Sequence, residues 1–164
     1  MTLDAGAARL DGLVAVVTGA GSGIGRGIAG GLAAFGAAIA VWERDAATGE
    51  AAAAEVDGLA VPADVREADQ VDAALAATID RFGRVDILVN NAGGTFRSPL
   101  LETSENGFDA LYRANLKHVL VCTQRVARSM VAAGRGGSIV NITSIEASAP
   151  HRATRPTPRP RPGS

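Results

Sequence analysis

Three short segments hold residue types at spacings that suit chemistry: TGAGSGIG at 18–25, NNAG at 90–93 and NITS at 141–144. In the first, Thr18 closes an apolar run, and Gly19, Gly23 and Gly25, with Ser22 and Ile24 between them, lead into a helical pattern. Glycines there permit a tight turn and close approach of a pyrophosphate, whose charge suits the open N–H groups and positive end of a helix. The competing reading is an ordinary turn in a chain with 20 glycines. A second G-x-G-x-x-G match at 25–30 falls inside the helical pattern and is rejected on that context. Glu43 stands 18 residues after Gly25 at the end of the next apolar run, where an acid binds a ribose 2′-hydroxyl. A carboxylate repels a 2′-phosphate, which points to NAD; Arg44 beside it would pair with that phosphate and keeps NADP as the alternative.

The elements that must position these residues alternate. Apolar, β-branched runs at 13–19, 37–43, 58–64, 85–93 and 137–144 read as buried strands. Between them, helical spacing appears at 23–36, 46–56, 66–83 and 104–133. Asp45 and Ser104 suit N-caps, and Gly36 and Gly83 suit helix ends. Such alternation predicts an α/β fold, a parallel sheet covered on both faces and doubly wound by right-handed crossovers. Ligands then bind outside the carboxyl ends of the strands, where all three segments fall.

Composition sets limits. The 164 residues are 47% hydrophobic with a net charge of −1. That supports one domain with a real core and gives no reason to expect a nucleic-acid or membrane partner. No apolar run of about 18 residues is present. The start lacks the basic and apolar regions of a signal peptide. The single cysteine, Cys122, reads as packing and fits a reducing cytoplasm. No metal-ligand spacing stands out, so no metal is expected. His118 reads as a helix-face residue and His151 as part of the tail.

Taken together, the motifs resemble those of the classical-type short-chain dehydrogenase/reductase family. Its T-G-x-x-x-G-x-G pattern matches Thr18 to Gly25, and its adenine-contacting pair matches Asp64 and Val65. Its N-N-A-G matches Asn90, Asn91, Ala92 and Gly93; its helix asparagine matches Asn115; its serine matches Ser144. The resemblance implies a Rossmann-like domain over 1–149 that exchanges hydride between NAD(P) and a small alcohol or carbonyl substrate. It implies that Ser144 orients the substrate oxygen and that Asn115 supports a proton relay.

The family also uses a Tyr-x-x-x-Lys pair, because a phenol titrating near 10 needs a neighbouring cation to exchange protons at neutral pH. Here Tyr112 is the only tyrosine and Lys117 the only lysine, both ahead of Ser144. The pair is expected at positions 157 and 161, which are Thr157 and Arg161 amid Pro156, Pro158, Pro160 and Pro162. Interior prolines cost a helix roughly 3 kcal/mol each. Residues 150–164 therefore read as a disordered Pro/Arg tail. A shifted reading frame there permits Tyr-Ala-Ala-Ala-Lys, so the expectation is a frameshifted C-terminus, an incomplete sheet of about five strands, no turnover and a compromised family oligomer. A dinucleotide-binding remnant without chemistry is the alternative reading.

Overall fold

The computed structural model describes residues 8–144; the expected domain boundary at 149, His151 and the tail at 150–164 lie outside the described residues. Five strands form one sheet: β1 (Val14–Thr18), β2 (Ala38–Glu43), β3 (Leu59–Pro62), β4 (Ile87–Asn90) and β5 (Ser138–Asn141). Their order is β3-β2-β1-β4-β5 and every pairing is parallel. The chain reverses direction across the sheet between β1 and β4, which is the switch point where such sheets bind ligands.

The alternation of side chains on β1 separates two cores. Ala15 and Val17 pack with Ala29, Ile39, Val41 and Ala52, beneath α1 (Gly23–Ala34) and α2 (Ala46–Glu55). Val16 packs on the opposite face with Trp42, Val71, Leu88, Cys122 and Val126, beneath α3 (Ala68–Phe82) and α5 (His118–Ala132). β1 is buried along its whole length, as a strand covered on both faces must be.

Local chemistry sets the ends of the helices. Asp45 caps α2 by accepting from Thr48 N–H at 2.9 Å, and Gly83 ends α3 in the left-handed conformation. Ser104 caps α4 (Glu105–Tyr112), accepting from Gly107 N–H at 3.1 Å. A π-helical segment, Arg113–Lys117, joins α4 to α5 without a break. Two buried polar groups are tied in: the Trp42 indole N–H donates to Thr78 Oγ1 at 3.0 Å, and Asp86 accepts from Val14 N–H at 2.9 Å, pinning the start of β1 to β4.

Two expectations are corrected. β5 is exposed along its length, because among the described residues it is an edge strand paired only with β4. His118 lies on the buried face of α5 and not on an exposed one; it is 1% exposed, in line with the buried Cys122, Val126 and Met130.

Leu88 is fully buried on β4. Truncation removes transfer energy and leaves a cavity, so Leu88→Ala is expected to cost about 2–5 kcal/mol in urea-induced unfolding. A loss below about 0.5 kcal/mol would contradict the placement of β4 inside the sheet between β1 and β5.

Candidate functional site

The three segments converge at the carboxyl ends of β1, β4 and β5. The glycine loop and the NNAG turn lock together. Thr18 Oγ1 accepts from the N–H groups of Asn91 and Ala92, both at 3.0 Å. In return Asn91 Nδ2 donates to the carbonyls of Thr18 at 3.0 Å and Gly19 at 3.2 Å. Gly25, buried at the first turn of α1, closes the junction. A Cβ there would lie 2.5 Å from Asn91 Nδ2 and closer still to the Gly19 carbonyl oxygen.

On the open side the loop is different. Gly23 has φ +54, a conformation that side chains resist, and a Cβ there would meet nothing within 4 Å. Ser22 sits at the N-cap without a side-chain cap bond, and the first turn of α1 carries no acid. The positive end of α1 is thus left for an outside anion. Ile24, 69% exposed, projects beside it.

A cleft of about 490 Å³ runs along this rim, from Glu43, Asp64 and Val65 at one end, past Gly23, to Asn91–Gly94 at the other. Glu43 Oε2 accepts from Gly21 N–H at 3.1 Å, and Oε1 accepts from Arg44 and Asp45 N–H groups at 2.8 and 3.2 Å. Backbone donors therefore aim this carboxylate before any ligand arrives. Asp64 is bonded by Arg66, with Nε 2.8 Å from Oδ1. That hydrogen bond holds the Asp64 carboxyl below the usual carboxylate range.

Asn115 reaches the cleft's rim through its neighbour. Its Oδ1 accepts from Gly94 N–H at 3.1 Å, and its Nδ2 donates to the carbonyls of Gly94 at 2.7 Å and Leu111 at 3.0 Å. Ser144 is exposed and follows β5. β5 itself is held by Asn90, whose Nδ2 donates to Asn141 Oδ1 at 2.8 Å and Thr123 Oγ1 at 3.2 Å. Burial pushes the Cys122 thiol up to about 12, so it stays protonated and is no nucleophile. Among the described residues, no group of three or more His, Cys, Asp or Glu could hold a metal, and no helix is long and apolar enough to cross a membrane.

The sequence reading missed Arg66 and Gly94 as parts of the site. Arg66 had a signal, since it stands two residues past Asp64 just after a strand. Gly94 had none, since its contact comes from a helix 21 residues away.

A family model described as short chain dehydrogenase matches residues 13–155. The chain belongs to the short-chain dehydrogenase family. It is 38% identical over 138 residues to the sorbitol dehydrogenase of Cereibacter sphaeroides, covering 83% of this chain and 54% of that one. It is 43% identical over 141 residues to the D-threitol dehydrogenase of Mycolicibacterium smegmatis, covering 83% and 54%. A solved 7α-hydroxysteroid dehydrogenase, complexed with NADH and 7-oxo glycochenodeoxycholic acid, superposes with a TM-score of 0.86 at 33% identity, covering 92% of this chain and 60% of that one. The chain spans about half the length of the curated relatives it matches.

Two glycines on one helix separate the junction from simple helix propensity. Gly25→Ala is expected to lose about 1–3 kcal/mol from overpacking. Gly27→Ala, with nothing within 4 Å of its Cβ position, is expected to gain about 0.5–1 kcal/mol. Chemical denaturation of both variants checks this, and equal effects would contradict the close packing at Gly25.

Proposed function

We propose that this chain is the nicotinamide-dinucleotide-binding part of a short-chain oxidoreductase, with NAD preferred over NADP. The observation that carries the reading is the loop from Thr18 to Gly25: packed shut against Asn91 on one side, open with an uncapped helix end on the other. The residues fit the group. Gly19, Ser22, Gly23, Ile24 and Gly25 form a cradle for phosphate oxygens at the end of α1. Glu43, already aimed by three backbone N–H groups, accepts hydrogen bonds from the adenosine ribose. Its charge favours a diol over a 2′-phosphate, while Arg44 at the same end of the cleft tempers that preference. Asp64 and Val65, which line the same end of the cleft as Glu43, would hold the adenine, and Asn91, Ala92 and Gly93 form the far rim.

When bound, the nicotinamide supplies hydride exchange with an alcohol or carbonyl carbon. Ser144 holds the substrate oxygen by its hydroxyl. Asn115, fixed between Gly94 and Leu111, steadies the rim beside it. The 164 residues hold no Tyr-x-x-x-Lys pair, and a missing general acid/base costs about 10²–10⁴ in rate. We therefore propose that this polypeptide binds the dinucleotide without turning over substrate. The substrate class is a small alcohol or carbonyl compound, as the names of the sorbitol and D-threitol dehydrogenases suggest.

Isothermal calorimetry of the 164-residue polypeptide is expected to give a saturable NAD isotherm and weaker NADP binding, with Glu43→Gln narrowing the difference. Gly25→Ala is expected to weaken NAD by about tenfold or more. No heat and no thermal shift with either dinucleotide would overturn the reading. NADH formation from secondary alcohols well above background would overturn the absence of turnover.

A further inference from the structure

His118 is the first residue of α5 and almost completely buried. Its ring nitrogens make no hydrogen bond of ordinary geometry, yet the carbonyls of Ala114 and Ala92 lie close enough to favour its protonated form. Burial outweighs them and holds the ring below its ordinary 6.5. Ala114 and Ala92 both line the cleft. The same rim is held one turn earlier, where Asn115 bonds Gly94. So α5 and the π segment support the Ala92–Gly94 rim from behind through two adjacent side chains, one of them titratable.

A buried ring that gains a proton must find water or better acceptors. The α5 side yields little, since Cys122, Val126 and Met130 are buried below it. The rim is the softer side, because Gly93 and Gly94 are exposed and carry no side chain to pack.

On the reading that the cleft holds a dinucleotide, we propose that His118 is a proton-sensitive positioning residue: its protonation displaces the Ala92–Gly94 rim and weakens dinucleotide binding. Among the described residues, no charge opposes or assists this at close range. The elements packed on α5 bring Glu67, Asp69, Asp72, Asp80 and Arg81 near or on α3, Arg113 and Lys117 in the π segment, and Asp86 just before β4. Arg113 pairs with Glu67 and Arg125 with Asp72, and only burial and the two carbonyls act on the His118 ring.

The sign follows from linkage. The folded chain resists a proton that the unfolded chain accepts near 6.5, so the neutral ring's support is complete above 6.5 and is lost as pH falls toward the folded value. An NMR titration of the unliganded chain tests the coupling without any dinucleotide. The Ala92, Gly93 and Gly94 amides are expected to move in step with the His118 imidazole. With NAD as probe, the wild type is expected to bind about threefold or more weakly once the His118 imidazole has titrated than at about pH 7.5, and His118→Gln to show a flatter profile. Amides that stay still while the His118 imidazole titrates, or one pH profile shared by both proteins, would overturn the proposal. Loss of NAD binding at the higher pH in both proteins would instead remove the reading of the cleft, and the amide titration would still decide the role of His118.

Discussion

The site depends on one junction, where the loop after β1 meets the turn after β4. Asn91 satisfies the carbonyls that a tight loop leaves exposed at Thr18 and Gly19, and Thr18 accepts the two N–H groups that the NNAG turn leaves unpaired. Each segment supplies the partners that the other lacks, and buried backbone groups require such partners. The exchange fits only because position 25 has no Cβ. Closing the loop inward is also what turns Gly23 and the start of α1 outward, so the packed face and the receptive face share one cause.

The parallel sheet makes the junction possible. β1 and β4 are neighbours in space although 69 residues separate Thr18 from Ile87, and both end at the same rim because both run the same way. Asp86 ties the start of β1 to β4, and the Trp42–Thr78 bond anchors β2 to α3. The long helix then reaches the rim from behind through Asn115, at a π segment that sits where its side chain meets Gly94. Such segments often mark functional positions in helices.

Much of this was legible in the sequence, and for identifiable reasons. The strands with long β-branched runs, β1 and β4, stood out because burial on both faces removes the need for polar residues. Asp45 and Ser104 announced helix starts because their side chains can accept the first free N–H groups. The glycine loop and NNAG were legible as motifs, but their mutual locking was not, since it pairs residues more than 70 positions apart. The burial of His118 was legible in principle, since it stands four residues ahead of Cys122 on the face that also carries Val126 and Met130; its polar ring argued against a core position. β5 read as buried from its composition, yet its exposure depends on what lies beside it in space, which composition does not encode.

The most direct test of the phosphate cradle is a crystal structure of this chain grown with NAD. The expected result is a dinucleotide along the rim, with its pyrophosphate against Gly23 at the start of α1 and its adenosine ribose on Glu43. A dinucleotide bound elsewhere, or an NAD-saturated crystal with this rim occupied only by solvent, would contradict it.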